Sequence, residues 1–368
     1  MAYKILVLKG DGIGPEVVSE ALQVLKVIAR LSAIDLEFKE GLIGGHALDQ
    51  FGVPLPDDVL KSAQDSDAIL LGAVGGPKWD NPTADKRPEQ ALLGLRKALG
   101  LFANVRPVKA VKDLIGSSPI KSDIISAVDL VVIRELTGGI YYGKPSERRA
   151  GKDGREAVDT CPYSEVEITR VLKFGFELAR ERRKKLTSVD KANVLSTSRL
   201  WREIATELST QYKDVAFESQ LVDSMAMHLI RRPKDFDVIV TENMFGDILT
   251  DEASVLAGSM GLLPSASLGE DVNGAGYRVG LYEPIHGSAP DIAGRDEANP
   301  LAAILSGAML LEHSLGLRSE AEIITKAVED VIHDGHRTRD LGGSAGTKFI
   351  GCKAMGRLVR EKIESAEA

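Results

Sequence analysis

The chain has 368 residues, of which 43% are apolar and 27% charged, a composition typical of a globular protein with room for two hydrophobic cores. Its net charge of −8 argues against nucleic acid or an anionic membrane as the main partner. The N-terminus is typical of a strand rather than a targeting peptide, and no apolar run approaches bilayer-spanning length. The two cysteines, Cys161 and Cys352, match no metal-ligand spacing, so we expect free thiols and a cytosolic location.

The first part of the chain alternates predicted buried strands with helices. Residues 3–8 and 67–74 are mostly apolar, as buried parallel strands are, and helices are predicted at about 15–30 and 88–99. The glycines of the segment GDGIGPE invite comparison with the Rossmann fingerprint, but the third glycine comes one position early. We therefore expect a turn that approaches a ligand closely but is not a Rossmann motif.

Three arginines lie on elements predicted to end near one edge of a sheet. Arg134 closes a buried apolar run and needs an anionic partner, because burying an unpaired charge is very costly. That partner is either a ligand or an internal acid such as Glu135. Arg96 and Arg106 are individually weaker candidates, because most arginines are solvated surface residues. Together the three would suit a substrate with two carboxylates, which the planar guanidinium binds bidentately.

Residues 138–161 are rich in glycine, charge and aromatic side chains and predict a protruding hairpin, with Tyr141 and Tyr142 at its base. A dimerisation arm and a simple surface loop are the two alternatives for this segment.

Lys191 and Asp223 each have a chemical and a structural interpretation. Lys191 ends a predicted strand at the edge where α/β sheets bind ligands, so it is either a base or proton relay or an ordinary exposed lysine. Asp223 opens a predicted helix and is either its N-cap or a metal ligand. In that helix, Met225, Met227 and Leu229 are predicted to be core residues.

The segment 241–254, TENMFGDILTDEAS, follows a predicted strand at 236–240 and contains two carboxylates four residues apart. Asp247 and Asp251 therefore lie one above the other on one face of a predicted helix. Because carboxylates held that close repel each other, a hard divalent cation is a natural partner for them. The alternative is that acidic residues in the first turn interact with the positive end of the helix dipole.

The last third of the chain contains a loop with candidate ligand-binding residues. Residues 258–270 are predicted to be a helix end and loop, and residues 277–282 a strand. In the following loop, 283–300, Asp291 could accept hydrogen bonds from a ribose, the role of an acidic residue in NAD selection. His286 is either a metal ligand or, as is more common for a lone loop histidine, a stacking or hydrogen-bonding residue.

The chain carries, in order, the motifs GDGIGPEV, GAVGGPKWD, LLGLRK, FANVRPVK, RELTGGIYYG, VDKANVL, VDSMAMHLI, TENMFGDILTDEAS, YEPIHGSAPDIAG, ANP and TRDLGG. Each motif alone is modest evidence. With all of them present in this order, the chain resembles the β-decarboxylating dehydrogenases of the isocitrate/isopropylmalate family over essentially its whole length.

The resemblance implies a two-domain α/β fold of the isopropylmalate dehydrogenase type, with a mixed, mainly parallel sheet and no Rossmann domain. Residues 1–101 and 258–368 would form a first, cofactor-binding domain. Residues 102–257 would form a second domain for dimerisation and the metal site, with an arm at about 138–162.

The resemblance also implies residue roles. Tyr141 and Lys191 would be the catalytic pair, and Lys191 and Asp223 would enter the site of the neighbouring subunit, so that a homodimer is the active unit. The expected Mg²⁺ or Mn²⁺ ligands are Asp223, Asp247 and Asp251. The expected substrate-binding residues are Arg96, Arg106, Arg134, Asp223, Leu92 and Leu93. The NAD-binding loop is expected at 287–299 and a second cofactor segment at 76–89, and the expected NAD-binding residues are Gly76, Glu89, Glu283, His286, Gly287, Ser288, Ala289, Asp291, Ile292 and Asn299.

The reaction that the resemblance implies is the NAD- and divalent-metal-dependent oxidative decarboxylation of 3-isopropylmalate to 4-methyl-2-oxopentanoate, a step of leucine biosynthesis. NADP-using relatives carry Lys-Tyr where this chain has Asp291 and Ile292. Relatives that act on isocitrate place a polar residue where it has Leu92 and Leu93, and an apolar face suits an isopropyl group. One methylene in such a pocket changes affinity by only roughly 1–3 kcal/mol, so neighbouring alkylmalates are also expected to react.

Two other functions stay open at this point. A tartrate- or malate-type decarboxylating dehydrogenase would share most of the motifs. A catalytically silent regulatory subunit is more distant, because such a subunit would be expected to lose the metal ligands or the base, which this chain retains.

Overall fold

The computed structural model describes residues 2–80, 85–343 and 347–366. The strands are β1 (Tyr3–Gly10), β2 (Leu36–Gly41), β3 (Ala68–Ala73), β4 (Ala103–Lys109), β5 (Asp129–Glu135), β6 (Ser146–Gly151), β7 (Gly154–Asp159), β8 (Lys185–Asp190), β9 (Ala216–Leu221), β10 (Val238–Thr241), β11 (Pro264–Val272), β12 (Arg278–Pro284), β13 (His336–Arg337) and β14 (Lys348–Phe349). The α-helices are α1 (Gly14–Leu31), α2 (Gly44–Phe51), α3 (Asp57–Gln64), α4 (Glu89–Ala98), α5 (Ser122–Ile125), α6 (Glu165–Glu181), α7 (Ser196–Ser209), α8 (Val222–Arg231), α9 (Asn243–Ala257), α10 (Leu301–Leu315), α11 (Arg318–His333) and α12 (Cys352–Ala366).

The chain divides into two compact units. Unit 1 comprises Met1–Leu101, Val111–Pro119 and Ala257–Ala368, and unit 2 comprises Phe102–Ala110 and Ile120–Leu256. Residues 111–119, which the sequence analysis assigned to the second domain, thus lie in unit 1. The division of tasks between the two units stays a prediction.

Unit 1 is built on strands in the order β2-β1-β3-β12-β11. β1 pairs in parallel with β2 and β3, β3 pairs in parallel with β12, and β12 and β11 run antiparallel. α10 is buried along nearly its whole length because it packs against α1, α11, β11 and β12. This explains why its sequence is apolar on almost every face.

The prediction of a helix end and loop at residues 258–270 is wrong from Pro264 onward, because β11 begins there. Its first six residues are buried, and the first five pair with β12, from Pro264 opposite Pro284 to Leu268 opposite Gly280. The segment is rich in serine, alanine and glycine, which have weak strand propensity, so the strand depends on its tertiary partner.

Unit 2 is built on strands in the order β4-β5-β10-β8-β9. β5, β10, β8 and β9 run parallel, and β4 is antiparallel to β5 with Asn104 opposite Arg134. The carboxyl ends of the parallel strands therefore share one edge, where Arg134, Asp190 and Thr241 end or nearly end their strands. The mixed, mainly parallel α/β architecture expected from the sequence is confirmed.

The arm is a two-stranded hairpin of β6 and β7, paired from Ser146 opposite Asp159 to Gly151 opposite Gly154. Its side chains are mostly exposed. The predicted hairpin is confirmed, and its part in dimerisation stays a prediction.

α8 differs from the prediction at two positions. Leu221 occupies the N-cap position and Asp223 lies inside the first turn without a capping hydrogen bond, so the N-cap interpretation of Asp223 is wrong. Met225 and Leu229 are buried as predicted, but Met227 is 44% exposed. Its sequence spacing places it on the face of the helix that points away from the core of unit 2.

Two further findings concern the chain as a whole. Cys161 and Cys352 are both free thiols, as predicted. None of the helices in the described residues is long and apolar enough to cross a bilayer.

Candidate active site

Arg134 lies at the end of β5 in unit 2 and is only 3% exposed. Its Nε and Nη2 donate to the Oδ1 of Asn243 at 3.0 and 2.9 Å, and its Nη1 donates to Asp247. The anionic partner that the burial of Arg134 requires is therefore Asp247. Glu135 is also buried, but it accepts hydrogen bonds from Thr137 and from the backbone of Gly138, on the other face of the strand.

Arg106 on the neighbouring strand β4 extends toward the same helix. Its Nε donates to the Oδ1 of Asn104 at 2.6 Å, and its Nη1 donates to the hydroxyl of Thr250 at 2.5 Å. Its guanidinium nitrogens lie 3.8 Å from Asp247 and 3.9 Å from Asp251. The strand pairing β4–β5 thus brings two arginines to one pair of carboxylates on α9.

The two carboxylates on α9 have the chemistry of a hard-cation site. Burial raises the pKa of the Asp251 carboxyl, and the nearby negative charge of Asp247 raises it further, against the lowering effect of Arg106. Asp251 is nevertheless largely exposed, with 68% of its side chain accessible, so an oxygen atom is available to a ligand. An all-oxygen donor set of this kind suits Mg²⁺ or Mn²⁺.

Tyr141 joins this cluster from the base of the arm. Its hydroxyl donates to Oδ2 of Asp247 at 2.8 Å, and its ring lies 5.5 Å from the guanidinium carbon of Arg134. Burial raises the pKa of Tyr141, and the hydrogen bond to Asp247 raises it further. The phenol therefore stays protonated at neutral pH and holds a proton beside the carboxylate pair.

Lys191 and Asp223 form a separate pair in the same unit. Nζ of Lys191 donates to Oδ1 of Asp223 at 2.7 Å, and this hydrogen bond lowers the pKa of Asp223. In the part of the chain that the structure describes, Asp223 does not join Asp247 and Asp251 in one three-ligand group.

In unit 1, Arg96 of α4 pairs with Glu283 of β12 at 2.8 Å, and both residues are buried. The Nε of Arg96 is buried without a hydrogen-bond partner among the described residues. Leu92 and Leu93 are half-buried on the same helix, and Leu92 packs against the core of unit 1.

The loop after β12 carries most of the predicted cofactor residues. His286 Nδ1 bonds the carbonyl of Gly287 at 2.9 Å, while its Nε2 is buried without a partner among the described residues. Burial lowers the pKa of His286, so its ring is neutral at physiological pH. Asp291 is exposed, as an acceptor for a bound ribose would be. The side chain of Asn299 is engaged with Asp340 at 2.9 Å.

The glycine-rich turn after β1 contacts the backbone of this loop, and its close approach to a ligand stays a prediction. Gly12 has φ +58°, and a Cβ there would lie 1.9 Å from the carbonyl oxygen of Ser288. That same carbonyl accepts from the amide of Ile13 at 2.8 Å, next to Ala289, whose φ is +36°. The turn thus supports the loop.

Asp11 is a site residue that the sequence analysis missed. It is 1% exposed and accepts from the amides of Gly45 at 2.7 Å, His46 at 2.9 Å and Gly75 at 2.8 Å. An acidic residue between two glycines at the end of a strand could have predicted a carboxylate that accepts hydrogen bonds from nearby backbone amides. Asp11 fixes the start of the predicted cofactor segment 76–89, in which 81–84 lie outside the described residues. Gly76 and Glu89 flank that gap.

Comparison with known proteins gives a consistent result. The sequence profile of the isocitrate/isopropylmalate dehydrogenase family matches residues 4–359. A 3-isopropylmalate dehydrogenase of Heyndrickxia coagulans is 55% identical over 368 residues, covering 100% of this chain and 98% of the relative. One from Anaeromyxobacter dehalogenans is 56% identical, covering 97% and 100%. The crystal structure of isocitrate dehydrogenase from Methylococcus capsulatus superposes with a TM-score of 0.84 at 34% identity, covering 98% of this chain and 99% of that chain.

Proposed function

This chain belongs to the isocitrate/isopropylmalate dehydrogenase family, and we propose that it catalyses the NAD-dependent oxidative decarboxylation of 3-isopropylmalate to 4-methyl-2-oxopentanoate. The observation that carries the proposal is the meeting of Arg106 and Arg134 with Asp247 and Asp251 at the edge of unit 2. The two guanidinium groups can bind a dicarboxylate, and the two aspartate carboxylates can bind a divalent metal ion.

Substrate recognition would divide between charge and shape. Arg134 supplies a buried guanidinium and Arg106 a half-buried one for the two carboxylates of the substrate, and Arg96 is the third candidate. Leu92 and Leu93 are half-buried apolar side chains, which suit an isopropyl group. An isocitrate-like third carboxylate would find no complementary charge at these two leucines.

The cation would be held by Asp247 and Asp251, with Asp223 contributed by the neighbouring subunit. When bound, the cation would supply positive charge that favours loss of the C2 hydroxyl proton, and NAD would supply the hydride acceptor for C2.

Two side chains of the protein then accept and donate protons. Lys191 accepts the proton of the C2 hydroxyl, directly or through a water. Cleavage of the bond to the carboxylate that is β to the new ketone releases CO₂ and leaves its electron pair on the substrate as an enolate. Tyr141, which is protonated at neutral pH, donates its proton to C3 and so completes the 2-oxo acid product.

NAD would lie on the loop after β12. The exposed carboxylate of Asp291 accepts from a free ribose 2′-hydroxyl and repels a 2′-phosphate. The Nε2 of His286, which has no hydrogen-bond partner among the described residues, offers a hydrogen-bonding atom within the same loop, which fits a bound polar group. Residues Glu283, Gly287, Ser288, Ala289, Ile292 and Asn299 complete the proposed loop site, with Gly76 and Glu89 in the second segment.

A homodimer is the proposed active unit. Unit 2 exposes Met227 and Ile230 on α8, which are 44% and 49% accessible, and Ile248 on α9, which is 60% accessible. Exposed apolar residues on neighbouring helices are typical of an interface. A second copy seated there would bring its Lys191 and Asp223 toward the carboxylate pair on α9.

The test is NADH formation from 3-isopropylmalate with Mg²⁺ or Mn²⁺, measured beside isocitrate, tartrate and malate, with NADP and metal-free controls. We expect cation-dependent NADH production that strongly favours 3-isopropylmalate. Preferred turnover of tartrate or malate would keep the site and overturn the role of Leu92 and Leu93. A folded dimer inactive on every substrate would favour the regulatory-subunit alternative.

A further inference from the structure

Both proposed substrate arginines of unit 2 are held by neutral amides. The Oδ1 of Asn243 accepts from Nε and Nη2 of Arg134, and the Oδ1 of Asn104 accepts from Nε of Arg106 at 2.6 Å. Both asparagines are buried, with exposures of 1% for Asn243 and 0% for Asn104. Arg134 also forms an ion pair with Asp247, and Arg106 lies 3.8 Å from Asp247 and 3.9 Å from Asp251. These two carboxylates are the proposed cation ligands, so a bound cation would balance their charge and the asparagines would remain as the uncharged anchors of the two arginines.

Other arginines of the same unit are anchored differently. Arg180 is bidentate to Asp214, and Arg202 is bidentate to Asp190, so a carboxylate fills the fork of each guanidinium. Such pairs satisfy the charge of the arginine as well as its geometry. A neutral amide satisfies the geometry alone.

Asn243 is itself fixed by two further hydrogen bonds. Its Nδ2 donates to the carbonyl of Gly138 at 3.1 Å, and its backbone N–H donates to the hydroxyl of Tyr163 at 2.9 Å. With Nδ2 committed to Gly138, Oδ1 is turned toward Arg134. Asn104 lies in β4, directly opposite Arg134 in the β4–β5 pairing. Asn243 is the first residue of α9.

We infer that Asn104 and Asn243 are positioning residues that orient Arg106 and Arg134 without neutralising them, so that the positive charge is kept for the two carboxylates of the substrate. This inference rests on the proposed function. An aspartate of the same shape would still orient the guanidinium but would form an ion pair with it. A carboxylate substrate would then compete with a built-in carboxylate and be repelled by it.

The experiment compares Asn104→Asp and Asn243→Asp with the wild type at saturating Mg²⁺, with KM for 3-isopropylmalate, KM for NAD and kcat measured separately. We expect KM for 3-isopropylmalate to rise by about tenfold or more, as for about 1.4 kcal/mol or more of lost attraction, while KM for NAD changes little and kcat falls less than KM rises. Calorimetric titration with 3-isopropylmalate should show the same loss of affinity.

Asn104→Ala and Asn243→Ala separate charge from orientation, since each removes the acceptor without adding charge. We expect the alanine variants to retain tighter substrate binding than the aspartate variants. The matched control is Asp214→Asn beside Arg180, the opposite exchange at a structural arginine, which should leave both KM values unchanged.

Two outcomes would overturn the inference. The first is an unchanged KM for 3-isopropylmalate in folded Asn104→Asp and Asn243→Asp. The second is an equal loss of kcat and of thermal stability in the alanine and aspartate variants, which would indicate a structural role only. If Asn243→Asp fails to fold because its carboxylate faces the Gly138 carbonyl, Asn104→Asp decides alone. A wild type that does not use 3-isopropylmalate would instead refute the proposed function.

Discussion

The Nζ of Lys191 donates to Oδ1 of Asp223 across 2.7 Å within one chain. The two residues come from consecutive β–α connections, because Lys191 follows β8 and Asp223 lies in the first turn of α8 after β9. A proposed base and a proposed metal ligand are thus presented together on one surface. Any neighbouring site that receives one of them receives the other.

Lys191→Ala should abolish turnover with little change in NAD affinity. Loss of a general base costs about 10²–10⁴-fold in rate, whereas the proposed NAD loop lies in the other unit of the chain. The measurement is kcat together with NAD binding by fluorescence titration. Lys185→Ala, at the opposite end of β8, is the control, and near-normal turnover of Lys191→Ala would remove Lys191 from the mechanism.

Two inactive variants should complement each other if the sites are shared between subunits. In a heterodimer of Lys191→Ala and Asp247→Asn chains, one site has both wild-type residues and the other has neither. After random exchange in a twofold-symmetric dimer, about a quarter of wild-type activity should return. The measurement is kcat after mixing under mild dissociating conditions, with each variant exchanged against itself as the control. Sites built within one chain would give no recovery.

Asp291→Lys combined with Ile292→Tyr should shift the cofactor preference from NAD toward NADP. The substitution removes a carboxylate that repels a 2′-phosphate and adds a cation that attracts one. The ratio of kcat/KM for the two cofactors measures the shift. Asp271→Lys, at an exposed position in the same unit, is the charge-matched control. A double variant that keeps its NAD preference would show that Asp291 does not select the cofactor.

As the pH is lowered, cation affinity should begin to fall at a higher pH than it would if Asp251 had the pKa of an ordinary aspartate. Burial and the nearby Asp247 raise the pKa of Asp251, so protons compete with the cation at a pH above the usual value of about 3.9. Mn²⁺ titrations at a series of pH values would measure this. Asp251→Asn should weaken binding and flatten the profile. A wild-type affinity whose fall is centred at or below the ordinary aspartate pKa of about 3.9 would contradict the prediction.

Gly12→Ala should destabilise the protein and raise the KM for NAD. Its φ of +58° is strained for alanine, and the added Cβ would meet the carbonyl of Ser288 at 1.9 Å. Gly52→Ala is the matched control, because Gly52 has φ +72° with nothing within 4 Å. The control should lose about 1 kcal/mol of unfolding free energy from strain alone, and Gly12→Ala more. Denaturant unfolding and the KM for NAD are measured for both variants. An equal loss of unfolding free energy in the two would show that the contact between residue 12 and Ser288 has no effect.

Local patterns predicted much of this protein. Buried strands such as 67–74 and the amphipathic helix at 88–99 follow from apolar runs and helical spacing, and the structure has β3 and α4 there. Asp247 and Asp251 were placed on one helix face because a four-residue interval is a local property of α9. In contrast, β11 was missed because serine and alanine form a strand there only through pairing with β12.

The sequence by itself determined many of the element types, the spacing of the carboxylates and the family, because each depends on residues that are near in the chain or on ordered motifs. The tertiary structure decided which partner satisfies each buried charge. Arg134 takes Asp247 and Asn243 rather than its neighbour Glu135, and Arg96 takes Glu283. These pairings join residues more than a hundred positions apart, and they depend on strand order and register, which no local pattern encodes.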